Sequence, residues 1–194
     1  MPPHAGLELT DESRGLRLVY VATPWDTAGK LIELDWYARP GALTAGRPHQ
    51  HAPGAVESWE LVAGEAVYKV GRSEHRVRAP HRWTIPADTS HVHPSNAGDD
   101  EMHVRQAIAT ETEGEALEGV ARYFETLFAL SAQGKVKPNG DIRDPLQQVL
   151  TIHDLLMPAS WLPFPPRVVQ RALFTPLAAL ARATGRRAYV PAGP

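Results

Sequence analysis

The chain has 194 residues, of which 43% are hydrophobic and 22% are charged, and this ordinary globular composition excludes a disordered or collagen-like chain. Its net charge of -2 gives no support for a nucleic-acid partner, and the lack of cysteine excludes thiol catalysis, disulfides and iron–sulfur clusters. No apolar run reaches the roughly 18 residues of a membrane span.

The N-terminal segment has neither the basic run nor the apolar run of a signal peptide, so we expect a cytoplasmic location. The nine histidines are unevenly distributed, and seven of them lie between His49 and His103. We therefore expect the chemistry of the chain to lie in this region.

The first 110 residues show short runs rich in β-branched and aromatic residues, separated by turns that contain glycine or proline. These runs predict strands at residues 16–22, 31–38, 57–63, 65–70, 74–78, 82–85 and 101–109. Many short strands with such turns are typical of a β-sandwich or barrel. The sequence thus predicts a β-barrel domain over residues 1–110.

Helical periodicity begins after residue 110. We predict helices at residues 115–133, 145–157 and 166–184, with a capping box at Thr112 and Glu115 and with Pro145 in the first position of the second helix. Pro176 is expected to break or kink the third helix. Residues 111–194 are therefore predicted to be a helical extension that packs on the barrel.

Metal-ligating side chains recur at suggestive spacings in the histidine-rich region. His49 and His51 are two residues apart, so on a strand they point to the same face. Glu57 follows six residues later, and His91 comes after a turn-forming segment. Three imidazoles and one carboxylate are a suitable ligand set for a divalent transition metal.

The spacing of the first group resembles the first consensus motif of the cupin superfamily, in which HxH is followed by Glu and then by Gly. In this chain these positions are His49, His51, Glu57 and Gly64.

The second cupin motif, PxG followed by His and Asn, resembles the segment with Pro86, His91 and Asn96. Asp88 replaces the glycine, and one extra residue separates His91 from Asn96. Asp tolerates turn geometry, so the fold is not threatened, but His93 becomes an alternative ligand.

The resemblance covers about residues 16–110 and implies a mainly β fold, the cupin-type double-stranded β-helix or jelly-roll barrel, followed by about three helices. It implies that His49, His51, Glu57 and His91 hold one divalent transition metal, which could be Fe, Mn, Ni, Zn, Co or Cu. It also implies a homodimer, because cupins commonly dimerise through their sheets.

Further site residues follow from strand alternation and from the motif. Glu57 and His93 are the candidate catalytic residues, although His93 could also be a metal ligand or a rim residue, because Pro94 follows it at once. Trp59 and Leu61 share the parity of Glu57 and would form an apolar pocket wall. Gln106, on an otherwise apolar strand face, is the expected polar group of the pocket.

The C-terminal region from residue 155 onward contains five arginines and no acidic residue, with an apolar helix face between them. Such a helix can lie on a membrane surface, but docking on the barrel or on a second subunit is the favoured interpretation. A cap made of Trp161, Phe164 and Phe174 would make the pocket deep and apolar.

Three functions are compatible with these features. By the resemblance, the favoured one is a dioxygenase-type enzyme, an oxidoreductase that acts on a small, apolar or aromatic molecule such as a flavonol, a diketone or a thiol. The alternatives are a non-redox metal-dependent isomerase, lyase or cyclase, and a small-molecule-binding cupin without catalysis. No nucleic acid and no membrane surface is expected as a partner.

Overall fold

The structure is a computed structural model that describes residues 1–44, 47–111 and 116–193 of the chain. In this part of the chain the first 110 residues form ten strands: β1 (Glu8–Asp11), β2 (Leu16–Ala22), β3 (Leu31–Ala38), β4 (Gln50–His51), β5 (Ala55–Ala63), β6 (Glu65–Val70), β7 (Ser73–Arg78), β8 (His81–Ile85), β9 (His91–Asn96) and β10 (Met102–Thr110). All seven predicted strands are present, with ends that differ by at most two residues. The sequence reading missed the short strands β1 and β4, and also β9.

The strands form two main antiparallel sheets. One has the order β1-β2-β3-β10-β5-β8, and the other has the order β7-β6-β9. Alternate residues of the central strands face inward, and on β10 the side chains of Met102, Val104, Gln106 and Ile108 are at most 1% exposed. The mainly β fold is thus the predicted jelly-roll barrel, with its hydrophobic core between the sheets.

Strand β9 continues through a proline. The register of its pairing with β6 shifts between Val67 and Lys69, opposite Pro94, so the missing N–H falls at a β-bulge. The carbonyl of Pro94 accepts hydrogen bonds from the backbone N–H and the hydroxyl of Thr44. The proline therefore does not end the strand, and His93 lies within it.

Helix α1 (Ala116–Ala132) packs directly on the barrel. Trp36 of β3 meets Phe124 edge to face at 5.1 Å between ring centroids, and the Tyr20 hydroxyl donates to the carbonyl of Ala121 at 2.8 Å. Residues of α1 and of the barrel therefore share one hydrophobic core. The predicted capping box at Thr112 and Glu115 lies outside the described residues.

Helix α2 (Pro145–Thr151) continues into a π-helical turn (Ile152–Leu156). The carboxylate of Asp144 caps its first turn by accepting from the backbone N–H groups of Leu146 and Gln147 at 3.0 and 3.2 Å. A Cβ on Gly119 of α1 would lie 2.2 Å from the carbonyl oxygen of Leu155. Glycine thus permits the contact between α1 and the π-helical turn.

Helix α3 (Arg167–Ala183) runs without interruption past Pro176, so the predicted break does not occur. Pro176 and Ala172, whose carbonyl loses a hydrogen bond, are both exposed, and water can replace that bond. No helix in the described ranges has the length and apolar character needed to span a membrane.

The buried face of α3 includes only a small part of the apolar face seen in the sequence. Gln170, Ala178 and Ala181 are at most 1% exposed, whereas Val168 and Leu173 are 73% and 53% exposed. The two small alanines lie in a buried cluster with Leu150 of α2, where small side chains permit a close approach. Most of the apolar face of α3 is therefore exposed.

Candidate metal centre

The HxH segment lies between the barrel and the C-terminal tail. His49 forms an antiparallel bridge with His91 of β9, through backbone hydrogen bonds of 3.0 and 2.9 Å. His51, in β4, pairs with Ser160 of β11 (Ser160–Trp161), a short strand of the tail. Backbone pairing on both sides thus fixes the two histidines, and the tail supplies one of these two partners.

Four side chains converge between the sheets: His49, His51, Glu57 and His91. Each offers one ligand atom, and these atoms all lie within 4.8 Å of one another, so the group can hold one metal ion. Glu57 and His91 are 1% exposed and His51 is 6% exposed, while His49 is half-buried. His91, from the second motif, therefore reaches the same point as the three residues of the first motif.

Two of the imidazoles are oriented from outside the group. Nδ1 of His49 donates to the carbonyl of Arg47 at 3.1 Å, and Nδ1 of His91 donates to the carbonyl of Thr89 at 3.0 Å. These tautomers leave Nε2 of each ring as the basic atom, and such outer hydrogen bonds accompany most metal-ligating histidines. The orientation fits metal binding.

One contact within the group fits a shared cation better than a hydrogen bond. Oε2 of Glu57 lies 2.6 Å from Nε2 of His91 and 3.2 Å from Nε2 of His51. In the described part of the chain, Nε2 of His91 nevertheless has no aligned hydrogen-bond partner, and neither has Nδ1 of His51. The His51 contact is a hydrogen bond, whereas the unpaired Nε2 of His91 beside the carboxylate is a donor atom that a shared metal would satisfy.

The charge states of Glu57 and His49 suit metal binding, whereas burial would lower the pKa of His91 but the Glu57 carboxylate raises it overall. Burial alone would raise the pKa of Glu57, but the imidazoles of His51, His91 and His93 hold that pKa well below its usual value. Burial and the neighbouring imidazoles lower the pKa of His49, and burial lowers that of His93. The carboxylate is therefore ionised and these two histidines are neutral at pH 7, which are the forms that bind metals.

The carboxylate of Glu57 is held by a glutamine that is held in turn by a tryptophan. Nε1 of Trp36 donates to Oε1 of Gln106 at 2.9 Å. Because an indole N–H can only donate, this contact fixes the orientation of the amide, whose Nε2 then donates to Oε1 of Glu57. Strand parity predicted that Gln106 faces the interior. It could not predict the hydrogen bond from Trp36, because the two residues are 70 positions apart in the sequence.

His93 lies beside the four-residue group. Its side chain is buried, and its Nε2 lies 3.5 Å from Oε1 of Glu57 and 3.4 Å from Nε2 of Gln106. Among the described residues, Nδ1 of His93 has no hydrogen-bond partner. His93 is thus an interior residue of β9, and the interpretation as a rim residue after the strand end is wrong.

The turn before His91 shows why Asp88 can replace the motif glycine. Asp88 adopts a φ of 54°, in the left-handed region that Asp tolerates better than most residues. Asn96 is not directed at the group, because it bonds the backbone of Ala38, Asp100 and Gly98. Of the second motif segment, His91 therefore reaches the group and Asn96 does not.

The fold is the antiparallel jelly-roll barrel that the sequence motifs predicted. No protein-family model matches the chain, and no curated protein matches it. Solved structures similar to the cupin barrel include a protein described as a predicted oxalate decarboxylase from Thermotoga maritima, at 14% identity and a TM-score of 0.44, covering 49% of this chain and 80% of that one.

Two other similar structures are recombinant oxalate oxidase in complex with glycolate and KdgF from a Halomonas species. The first has 18% identity and a TM-score of 0.44, covering 59% of this chain and 61% of the other. The second has 20% identity and a TM-score of 0.43, covering 55% and 90%. Each match thus spans between half and three fifths of this chain.

A cavity joins the candidate metal centre of the cupin barrel to the helical tail. His49, His51, His93 and Gln106 line one part of it. The remaining lining is mostly apolar and comes largely from the tail, including Val120, Phe124, Leu127, Ile152, Leu156, Trp161 and Leu162. The apolar surface next to the histidines is therefore supplied by the helices.

The predicted apolar wall of Trp59 and Leu61 lies elsewhere. Leu61 is fully buried in the core, and Trp59 stacks on Trp83 and contacts the ring of His93 at 4.8 Å. Neither is among the described residues that line the cavity. Both side chains do point inward with Glu57, but β5 packs against the core at that depth.

The predicted aromatic cap is correct in one of its three members. Trp161 lines the cavity, because β11 carries it next to the HxH segment. Phe164 is 80% exposed, and Phe174 is half-buried and away from the cavity lining, so the cap does not include them. The chain turns away to α3 after β11, which is why Phe164 faces solvent.

Proposed function

We propose that the chain is a metal-dependent cupin enzyme that acts on a small, largely apolar organic molecule, with dioxygenase-type chemistry. The observation that carries this proposal is the cavity, in which the histidines of the candidate metal centre face a wall of apolar side chains from the tail. Small-molecule sites are characteristically apolar with a few convergent polar groups.

In this proposal His49, His51, Glu57 and His91 hold one divalent transition metal. The bound metal would supply Lewis-acid chemistry and, for a redox-active ion, electron transfer to or from the substrate. The outer hydrogen bonds on His49 and His91 keep their rings aimed at the ion. Gln106 holds Oε1 of Glu57 and thereby leaves Oε2 for the metal side.

His93 and Glu57 are the proposed catalytic residues. Nδ1 of His93 is a buried ring nitrogen without a described partner, on a residue that lines the cavity, so it can exchange a proton with a molecule bound there. Val120, Phe124 and Trp161 exclude water from the same space, which strengthens polar interactions at the site.

The test is oxygen uptake by protein reconstituted with single metals, measured with a flavonol, an aromatic 1,3-diketone and oxalate. We expect metal-dependent uptake with an apolar substrate and none with the small dianion oxalate. Substrate conversion at the same rate without oxygen would instead support the non-redox isomerase or cyclase. Saturable binding with no conversion under either condition would support a binding protein.

His93→Gln separates catalysis from metal binding. Glutamine retains a polar side chain of similar reach but cannot exchange the proton, so kcat should fall about 10²-fold to 10⁴-fold at unchanged metal content. An unchanged kcat would refute the role of His93. Loss of the metal would assign it to the ligand set instead.

The cupin resemblance also supports a homodimer as part of this proposal. Light scattering of the purified protein should give twice the mass of one chain. A monomer at micromolar concentration would contradict the expectation and would leave the metal centre unaffected, since its described residues come from one chain.

A further inference from the structure

A buried arginine opens into the same cavity as the metal centre. The side chain of Arg14, in the turn after β1, is only 5% exposed. Its guanidinium lies 5.7 Å from the ring centroid of Phe128 in α1, and Arg14 lines the cavity together with His49 and His51. Arginine is rarely buried unless its donors are satisfied.

The donors of Arg14 are only partly used. Nε pairs with the carboxylate of Asp11, which also accepts from the hydroxyl of Ser13 at 2.7 Å and from the backbone N–H of Arg14 at 3.1 Å. In the described part of the chain, Nη2 is buried and has no hydrogen-bond partner. An unused guanidinium N–H costs free energy until an acceptor oxygen reaches it.

The charged groups around Arg14 form ion pairs. Arg47, at the exposed side of the cavity, makes two hydrogen bonds of 2.7 Å to Asp141, and Lys137 acts on the same carboxylate. Arg47 pairs with Asp141 and Arg14 pairs with Asp11, so the unused Nη2 of Arg14 is the group here that can bind an anion.

The rest of the cavity wall is suited to the apolar part of a ligand. Val120, Tyr123, Phe124 and Leu127 line the cavity along α1, over about 10 Å of helix axis at 1.5 Å per residue. Ligand atoms between Arg14 and the histidines would therefore contact apolar side chains.

We propose that Arg14 is a substrate-binding residue and that the cavity takes an apolar molecule with a carboxylate, which accepts from Nη2 of Arg14. This inference rests on the proposed function, because the same molecule would present its other end to the metal centre. The proposed substrates are medium-length fatty acids or aromatic acids of similar size.

The experiment is calorimetric titration of the full-length protein with octanoate and with its neutral isostere octanamide. It is done after treatment with EDTA, so that a carboxylate cannot bind the metal. We expect wild-type protein to bind octanoate at least about tenfold more tightly than octanamide. Equal affinity for the two, or no binding of octanoate, would overturn the proposal.

Arg14→Lys keeps a cation beside Asp11 but removes the forked Nη2 donor, so it should lose the preference for octanoate. The matched control is Arg17→Lys, whose arginine lies on the exposed face of β2 against Tyr37 and should leave binding unchanged. Retained preference in Arg14→Lys would contradict the assignment.

A crystal structure of EDTA-treated wild-type protein with octanoate decides the question even if Arg14→Lys does not fold. A carboxylate within about 3.2 Å of Nη2 supports the proposal. A carboxylate elsewhere, with only water on Nη2, overturns it. If the carboxylate does not bind Arg14 but metal content and turnover are normal, the Arg14 proposal is wrong and the proposed function stands. If the protein has no activity but still prefers octanoate, the proposed function is wrong and the Arg14 proposal stands.

Discussion

The two walls of the cavity are built by different means. On the barrel wall, polar side chains converge, and backbone or side-chain hydrogen bonds orient His49, His91 and Glu57. On the tail wall, Phe124 and Trp161 present apolar surface held by packing. Under the proposed function, the barrel wall would carry the chemistry and the tail wall would determine which molecule reaches it.

The walls are joined where the tail strand β11 pairs with β4. His51 lies opposite Ser160, and the backbone N–H of Ala52 donates to the carbonyl of Ala159 at 3.0 Å. The tail therefore shapes the cavity and also supports a ligand strand. The predictions below perturb one wall at a time.

His51→Ala should break the barrel wall most strongly. It removes one of four ligands, so we expect metal content after reconstitution to fall from about one ion per chain to less than about a tenth. Plasma emission spectrometry gives the metal content, and circular dichroism should show an unchanged fold. The control is His75→Ala, an exposed histidine of β7, which should keep its metal.

Gln106→Leu removes the hydrogen bond that orients Glu57 but keeps all four candidate metal ligands. Glu57 loses a donor and Trp36 loses its acceptor, so metal affinity should fall about 10-fold to 100-fold, as for other residues that orient ligands. Competition with a fluorescent chelator measures the affinity. Gln133→Leu, an exposed site at the end of α1, is the control, and an equal loss in both variants would refute the role of Gln106.

Gly119→Ala disturbs the tail wall at the contact between α1 and the π-helical turn. The new methyl group would press on the carbonyl of Leu155, and such overpacking costs about 1–3 kcal/mol, against a gain of up to about 1 kcal/mol in helix propensity. We expect a lower urea midpoint and weaker ligand binding in the cavity, with metal content retained. Gly193→Ala, where the added Cβ meets no described atom within 4 Å, should be neutral.

Asp35→Asn should have the smallest effect, because it lies on the outer face of the barrel, away from both walls. Arg105 donates to both oxygens of Asp35 at 2.8 and 2.9 Å. Burial would raise the pKa of this carboxyl, but Arg105 and His103 lower it overall. The loss of unfolding free energy should be about 1 kcal/mol or less, since Arg105 is partly exposed.

The pH dependence of this loss has a definite sign. A depressed folded pKa means that the carboxylate contributes its stability above the unfolded value of about 3.9, and that this contribution is lost as the pH falls through the folded pKa. Urea denaturation of metal-free proteins should therefore separate wild type from Asp35→Asn at pH 7 and bring them together toward pH 3. A constant difference would contradict the ion-pair explanation.

Local patterns were sufficient to predict the barrel wall. Strand alternation placed Gln106 inside, and the HxH spacing with Glu57 and His91 predicted the group that converges in the structure. The role of these residues as ligands stays a prediction. Strand β9 was missed because Pro94 hides a β-bulge that exists only through pairing with β6.

The tail wall depends on contacts between distant residues, which no local pattern shows. Helical periodicity predicted α1. It did not explain Gly119, a weak helix former whose role depends on the contact with the carbonyl of Leu155. The apolar stripe of α3 suggested a wider buried face than the structure shows, because the small Ala178 and Ala181 allow a closer approach than the larger side chains. Arg14 looks like a surface residue in sequence, since its burial depends on α1.

The central claim is that one divalent transition metal binds at the barrel wall. An anomalous-scattering map of crystals of the metal-loaded protein, collected at the absorption edge of that metal, tests it most directly. The account predicts one peak about 2.0–2.3 Å from Nε2 of His49 and His91, a ring nitrogen of His51 and an oxygen of Glu57. A peak held by other residues, or no peak between the sheets in fully loaded protein, would contradict it.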